Sequence, residues 1–235
     1  ALPAAVITFP GTYKKCVGDS LKLSSNVASG LSYQWKEGGN DISGANDSAY
    51  VTNYTGTFSV LITDNSTGCQ NLSNGVYIVF NNNPIISIAH VGSGLGCVGD
   101  SIQINATGTP ANGQFQWYRG GVSLGGAVKN NIYVKTSGNY AVILKDTATG
   151  CQTLSNSDSV TIFSNPTAVV SYIGNGIKCM GDTLKLSSNP ASGMVYQWYM
   201  NGSPVSGATD SVYLVTKSGS YQVYITNANN CSKMS

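Results

Sequence analysis

Six cysteines are the residues of this chain most suited to covalent chemistry. None lies within four residues of another cysteine or of the single histidine, His90, whereas zinc ligands normally occur in close pairs. We therefore expect no metal site, and nothing in the sequence calls for a cofactor. Six evenly distributed cysteines are typical of a protein that forms disulfides in an oxidising compartment. The cysteines therefore favour an oxidising compartment over the cytosol.

Groups that could perform catalysis are scarce. Glu37 is the only glutamate and His90 the only histidine, so neither a histidine-based triad nor a pair of glutamates can recur along the chain. The glycine-rich run at residues 92–96 precedes a cysteine instead of opening a helix, so it does not resemble a phosphate-binding loop. The sequence predicts no catalytic residues and no enzyme.

The charge balance excludes two classes of partner. Charged residues make up 9% of the 235-residue chain, against a usual value of about 25%, and the net charge is +2. Lys14 and Lys15 form the longest basic run, so the basic surface that nucleic acid or anionic lipid requires is missing. No stretch of about 18 apolar residues occurs, so we expect no direct membrane insertion.

One pattern occurs three times with a period of 80 to 82 residues. It runs Cys-x-Gly-Asp-Ser/Thr, then Gln-Trp, then Ser/Thr-Gly-x-aromatic-x-Val, then a second Cys. The pattern predicts three units, at residues 1–82, 83–165 and 166–235, the last of which stops before the end of its final strand, as an excerpt of a longer array would. The recurring cysteines and tryptophans are Cys16, Cys97 and Cys179; Trp35, Trp117 and Trp198; and Cys69, Cys151 and Cys231.

Within each unit the chain consists of short alternating segments separated by Gly, Asn, Ser and Pro. Such segments are typical of strands joined by turns, and no window has a helical period. The sequence therefore predicts an all-β fold of antiparallel β-sandwiches, with the three tryptophans in the cores. In the first unit the predicted strands cover residues 5–9, 20–25, 32–36, 49–53, 57–64 and 76–80.

These features resemble the immunoglobulin superfamily, through Gly-Asp-Ser-Leu-Lys-Leu at 18–23, Gln-Trp at 34–35 and Gly-x-Phe-x-Val at 56–60. The resemblance implies tandem immunoglobulin-like domains. The positions that hold the family's central disulfide carry Ser25 and Val60 in the first unit, so that disulfide is absent, and a small residue facing Val can fill the space by packing. The corner Tyr of the family matches Phe58, Tyr140 and Tyr221.

A narrower resemblance is to the immunoglobulin-like repeats of Bacteroidetes secreted surface proteins, which include large adhesins and other cargo of the type 9 secretion system. It is carried by the early Cys-x-Gly, the Trp, the Gly-x-Tyr-x-Val and the Gly-Cys at residues 68–69 and 150–151. It implies an extracellular or cell-surface location. It also implies a stalk, filament or adhesin repeat whose partners are neighbouring repeats of the same protein, identical chains in a filament, or surface glycans. The alternative is a carbohydrate-binding or adhesive module attached to a secreted enzyme.

The cysteines allow two pairing schemes. One joins the two cysteines of each repeat, but in an immunoglobulin-like sandwich Cys16 and Cys69 should lie near opposite ends, whereas a disulfide needs Cα atoms within about 7 Å. The other scheme joins adjacent ends of neighbouring repeats. We favour this scheme, which pairs Cys16 with Cys151 and Cys97 with Cys231 and leaves Cys69 and Cys179 for flanking repeats.

The aspartates suggest two further kinds of site, for O-glycosylation and for calcium. Asp-Ser/Thr followed by a small or apolar residue resembles the O-glycosylation consensus of Bacteroidetes exported proteins, although an Asp-Ser pair also starts strands well. The repeated Gly-Asp suggests calcium, but each junction offers about one carboxylate, too few for that ion, so we predict no metal. The candidate O-glycosylation sites are Ser20, Ser48, Ser101, Thr147, Ser159, Thr183 and Ser211.

Overall fold

The computed structural model describes all 235 residues, and every regular element in it is a β-strand. No element is a long apolar helix of the kind that crosses a membrane. The first repeat contains β1 (Ile7–Thr8), β2 (Lys14–Cys16), β3 (Leu21–Ser25), β4 (Leu31–Glu37), β5 (Asn40–Asp41), β6 (Ala49–Thr52), β7 (Gly56–Asp64), β8 (Gln70–Leu72) and β9 (Val76–Asn81).

The second repeat has nine strands in the same order, and the third has seven. The second contains β10 (Ile85–His90), β11 (Leu95–Cys97), β12 (Ile102–Thr109), β13 (Gln114–Arg119), β14 (Val122–Ser123), β15 (Asn131–Val134), β16 (Gly138–Lys145), β17 (Gln152–Leu154) and β18 (Asp158–Phe163). The third contains β19 (Ser171–Tyr172), β20 (Leu184–Ser187), β21 (Val195–Met200), β22 (Ser203–Pro204), β23 (Val212–Val215), β24 (Tyr221–Thr226) and β25 (Ser232–Met234).

Each of the first two repeats has two sheets. In the first repeat the smaller sheet has the order β1-β3-β6 and the larger one β2-β9-β7-β4-β5, with β8 also on β7. The second repeat has the same two sheets, and all pairings are antiparallel except β2 with β9 and β11 with β18. In the third repeat the sheets are β19-β20-β23 and β22-β21-β24-β25. The prediction of tandem immunoglobulin-like antiparallel β-sandwiches is confirmed.

A tryptophan occupies the centre of each core. Trp35, Trp117 and Trp198 are 0% exposed, and each lies opposite a valine of the neighbouring strand, such as Val60 for Trp35. The indole Nε1 donates to a carbonyl twelve residues later, at 2.8 or 2.9 Å, so burial leaves no donor unpaired. The small residues that replace the family's cysteine are also buried; they are Ser25, Ala106 and Ser188.

The corner aromatic residue differs among the repeats. The Tyr140 hydroxyl donates to the carbonyl of Thr136 at 2.7 Å, and Tyr221 makes the same bond to Lys217 at 2.8 Å. Phe58 is fully buried in the corresponding place without a hydroxyl. The corner is therefore held by packing alone in the first repeat and by packing with a hydrogen bond in the other two.

Three short strands of the first repeat were not predicted. β2, β5 and β8 contain two or three residues each, too few for an alternating pattern to identify. The predicted strand at residues 5–9 also shortens to β1, because the chain then crosses to the other sheet and pairs as β2. Cys16 is consequently the last residue of a strand of the larger sheet.

Replacing the tryptophan of one core tests the packing model. Trp117→Ala should lower the unfolding free energy of the second repeat by about 3–5 kcal/mol, because it opens a cavity in a fully buried site. Urea unfolding followed by circular dichroism measures the change. Tyr133→Ala is the control, since Tyr133 is 65% exposed and its loss should cost less than about 1 kcal/mol. Equal effects from the two variants would contradict a core centred on Trp117.

Candidate functional site: the disulfide-bonded junctions

Two disulfides join neighbouring repeats. Cys16 is bonded to Cys151 with a Cα–Cα distance of 5.6 Å, and Cys97 is bonded to Cys231 with a distance of 5.5 Å. These are the pairs of the cross-repeat scheme. Each bond connects the first cysteine of one repeat to the second cysteine of the next, so each junction is crossed by the linker and by one covalent bridge.

The parallel strand pair explains where the first cysteine of each repeat lies. Cys16 is opposite Asn81, the last residue of β9, and Cys97 is opposite Phe163, the last residue of β18. At these residues the chain leaves one repeat for the next. The first cysteine is therefore held at the exit of its own repeat, within reach of the repeat that follows.

A polar turn presents the second cysteine. In the second repeat the carboxylate of Asp146 accepts hydrogen bonds from the Ala148 amide at 2.9 Å and the Thr149 hydroxyl at 2.8 Å. Asp64 accepts from Ser66 in the same way, and in the third repeat the Asn227 side-chain oxygen accepts from the Cys231 amide at 3.0 Å. The turn conformation that directs the cysteine toward the preceding repeat is thus made locally.

Burial of the second cysteine depends on its use. Cys151 is 1% exposed and Cys231 is 0% exposed, and both are in disulfides. Cys69 and Cys179 are free in this structure; Cys69 is partly exposed and Cys179 is exposed. The second cysteine is therefore buried where it takes part in a junction, as Cys151 and Cys231 do. Cys69, the second cysteine of the first repeat, stays partly accessible.

Asparagine side chains hydrogen-bond each linker to the repeat that precedes it. Asn83 Nδ2 donates to the Val17 carbonyl at 2.7 Å, and Asn165 Nδ2 donates to the Val98 carbonyl at 2.9 Å. The Val17 amide in turn donates to the carbonyl of Asn81 at 2.9 Å. Each linker is thus hydrogen-bonded to the residue that follows the first cysteine of the preceding repeat. These bonds restrict the motion of the linker independently of the disulfide.

The aspartate of the repeated Gly-Asp has a structural role beside the disulfide-bonded cysteine. The Asp19 carboxylate accepts the Cys16 amide at 3.0 Å, and Asp100 accepts the Cys97 amide at 2.8 Å. The Asp19 and Asp100 amides donate back to the carbonyls of the same cysteines at 2.9 Å. This reciprocal pair of hydrogen bonds closes the turn that follows each cysteine.

The candidate glycosylation residues lie at the surface to different degrees. Two of them, Ser48 and Ser211, are partly buried. The remaining five are exposed: Ser20, Ser101, Thr147, Ser159 and Thr183.

His90, the one histidine, is engaged within the second repeat. Its Nδ1 lies 2.8 Å from Asp158 Oδ1, and this contact joins β10 to β18 across the two sheets. Sequence reasoning did not identify this pair, because the two residues are 68 positions apart and neither belongs to the repeated pattern.

Comparison with known proteins relates the chain to others at the level of solved structures only. No family model matches it, and no curated protein matches it. Three N-terminal domains of the bacteriophage RB49 Highly Immunogenic Outer Capsid protein align with 99% of this chain and 97% of that one, at 14% identity and a TM-score of 0.35.

Two further solved structures are similar at the same level. An ICAM-5 ectodomain fragment aligns with 99% of this chain and 74% of that one, at 12% identity and a TM-score of 0.46. An I-band fragment of titin aligns with 99% of this chain and 96% of that one, at 10% identity and a TM-score of 0.41. These values carry no information on activity or partners.

Acid should loosen the cysteine-bearing turns unequally. Hydrogen bonds from Thr149 and Ala148 lower the pKa of Asp146 below its ordinary value of 3.8, and those from Ser66 and Thr67 lower the pKa of Asp64. A lowered pKa in the folded state stabilises the turn fully above pH 3.8, and this stabilisation is lost as the pH falls through the folded pKa.

Hydrogen–deuterium exchange at pH 5 and pH 2.5, corrected for intrinsic rates, measures the effect. The turns at Asp64 and Asp146 should lose protection at the lower pH. The turn at Asn227 should not, because its amide does not titrate in this range. Asp146→Asn is the matched variant and should make the second turn insensitive to acid. Equal loss of protection in all three turns would contradict the assignment.

Proposed function

We propose that this chain is a load-bearing structural segment, a stalk, filament or adhesin repeat, of an extracellular bacterial surface protein that its disulfides stiffen. The observation that carries the proposal is the pair of bridges between repeats, Cys16–Cys151 and Cys97–Cys231. Stable disulfides favour an oxidising location outside the cytosol. The resemblance to Bacteroidetes surface repeats supports the bacterial and adhesive parts of the proposal.

The junctions support stiffness. The linkers at residues 81–84 and 164–166 are short, and each contains an asparagine that is hydrogen-bonded to the preceding repeat. A short linker alone still permits bending, but a second covalent connection removes most of the remaining hinge freedom. Two neighbouring repeats should therefore move as one unit.

The two bridges overlap along the chain, and this overlap determines how it bears load. The first spans 135 residues and the second 134, and the segment between Cys97 and Cys151 belongs to both spans. A force applied to the termini can pass through the first bridge, back along this shared segment, and out through the second bridge. Only about 73 residue intervals lie on that path, so most of the first and third repeats is shielded from tension.

Single-molecule stretching between the termini tests the load path. The oxidised chain should reach a maximum extension of about 250 Å and the reduced chain about 800 Å, because the bridges exclude the shielded residues from the path. The variant Cys69→Ser/Cys179→Ser removes both free thiols and should keep the short extension.

This variant also separates the two pairing schemes. Bridges within repeats would give a similar short extension in the wild-type chain. In the Cys69→Ser/Cys179→Ser variant they would leave only one bridge, and the extension would rise to about 600 Å. An oxidised wild-type chain that extends to about 800 Å would overturn the load-bearing role altogether.

We propose that the exposed Asp-Ser/Thr sites carry O-glycans, which would add polar surface to a chain with few charges. Ser20, Ser101 and Thr183 lie directly after the turn aspartate, and the Asp19 and Asp100 carboxylates are occupied by backbone amides. The neighbouring Ser20 and Ser101 are exposed, which supports access of a transferase to their hydroxyls.

Mass spectrometry of native material tests the glycans. Hexose should occur on Ser20, Ser101, Thr147, Ser159 and Thr183, and at lower occupancy on the partly buried Ser48 and Ser211. Exposed serines that no aspartate precedes, such as Ser123 and Ser203, are internal controls and should be bare. Bare peptides throughout would contradict the glycan proposal without affecting the load path.

The outer cysteines define how the array would continue. Cys179 occupies in the third repeat the place of Cys16 and Cys97, and Cys69 occupies in the first repeat the place of Cys151 and Cys231. We therefore propose that flanking repeats of the same protein, or identical chains in a filament, bond to these two thiols. Surface glycans remain a candidate partner of the array.

A further inference from the structure

The outer face of the larger sheet in the second repeat contains a groove. Ala141 on β16 lies directly opposite Tyr118 on β13, so the two side chains point to the same face. Asn139 and Ile143 flank Ala141 at alternate positions of β16 and share that face. Because the methyl group of Ala141 is small, a cavity of about 370 Å³ remains between its larger neighbours. This volume lies within the range of about 300–1,000 Å³ that is usual for small-molecule sites.

Apolar side chains form much of the groove, and no charged side chain lines it. Ile143 lies opposite Leu154 of β17, and Leu154 is 58% exposed. The Tyr118 side chain adds an aromatic surface. An aromatic ring beside aliphatic groups suits a ligand that has a C–H face, whereas a charged ligand would lose its hydration here without gaining an opposite charge.

Three polar groups complete the groove: the Tyr118 hydroxyl, the Asn139 carboxamide and the Ser157 hydroxyl. Gln116 shares this face of β13, but its carboxamide is used within the repeat and donates to the Leu124 carbonyl at 2.8 Å. The three groups of the groove have no such partner in the chain. Each of them can both donate and accept hydrogen bonds, so together they can bind a ligand rich in hydroxyl groups.

The first repeat differs at this place. Lys36 occupies the position of Tyr118, Ser59 occupies that of Ala141, and the two lie opposite each other. Lys36 is also paired with Asp41 of β5. Ser59 is 9% exposed and counts as buried, whereas Ala141 stays partly exposed. The surface that is open in the second repeat is therefore covered in the first.

The third repeat keeps the tyrosine and lacks the small residue. Tyr199 lies opposite Gln222, which occupies the position of Ala141. Tyr224 occupies the position of Ile143. A glutamine side chain extends over the space that an alanine leaves open. The combination of a tyrosine with an alanine therefore occurs in the second repeat only, and the third repeat supplies a natural control.

We propose that this groove binds a neutral oligosaccharide built of hexoses. The C–H face of a hexopyranose ring would pack against Tyr118 and Ile143, and the ring hydroxyls would exchange hydrogen bonds with Asn139 and Ser157. A peptide strand fits less well, because β16 is hydrogen-bonded to strands on both sides and offers no free main-chain edge. The inference rests on the adhesin form of the proposed function, for which it names a partner class, and it does not depend on the disulfides.

Cellotetraose and mannotetraose are the probes, since they are neutral oligosaccharides of two different hexoses. Titration calorimetry with the full 235-residue chain should give saturable binding of at least one of them, with a Kd of about 0.1–1 mM. Tetragalacturonic acid has the same length and carries negative charges. It should bind at least about tenfold more weakly than the better neutral probe, because no cationic side chain lines the groove.

Variants of the protein locate the site. Ala141→Gln introduces the residue that the third repeat carries at this position, so it should fill the groove and weaken binding about tenfold or more while the second repeat stays folded. Thermal unfolding checks the fold. Tyr118→Ala should also weaken binding about tenfold, through loss of the aromatic surface. Tyr199→Ala, which removes the equivalent tyrosine of the third repeat, is the matched control and should leave binding unchanged.

Several outcomes would overturn the proposal. They are the absence of binding of both neutral probes up to about 10 mM, equal binding of the acidic tetrasaccharide, and unchanged binding by a folded Ala141→Gln variant. A dimer that sedimentation detects and that Ala141→Gln dissociates would also overturn it, because a second copy of the chain would then occupy the groove. None of these outcomes alters the extension measured by stretching, so the load-bearing role is tested separately.

Discussion

The parallel pairing of two short strands at the edge of the larger sheet governs both junctions. Because β2 runs beside β9, and β11 beside β18, the first cysteine of a repeat is carried to the point where the chain exits. An antiparallel neighbour would have placed that cysteine at the opposite end of the sandwich, several strand residues away. Three features act on the short stretch around Cys16, and again around Cys97. They are the disulfide, the asparagine that binds the linker and the aspartate that closes the turn.

The cysteines are available for the junctions because the cores do not need them. Ser25 and Val60 occupy the place of the family's central disulfide, both are buried, and Val60 lies opposite Trp35. Packing around a fully buried tryptophan, with its indole hydrogen satisfied by a carbonyl, stabilises each sandwich without a covalent bond. The disulfides therefore join neighbouring repeats instead of the two sheets of one repeat. There they restrict how the repeats are arranged and how they carry tension, and they are not needed to hold a core together.

Much of this architecture could be predicted from the sequence. The period of the repeats, the tryptophan of each core, and the corner residues Phe58, Tyr140 and Tyr221 are local patterns, and strands with a buried face show their alternation directly. The preference for cross-repeat disulfides also came from the sequence, because Cys16 and Cys69 lie too far along their strands to meet within one sandwich.

Only the tertiary structure determined the short strands at the edges of the sheets and their pairing. β2, β5 and β8 are too short to carry a pattern, and their pairing depends on which neighbouring strand lies within hydrogen-bonding distance after the sheets have packed. The hydrogen bonds from Asn83 to Val17 and from the Ile162 amide to Ser137, and the contact of His90 with Asp158, join residues 25 to 68 positions apart. Sequence determines which side chains are buried, since burial follows local alternation, whereas register between distant edges is set only when the whole sandwich has formed.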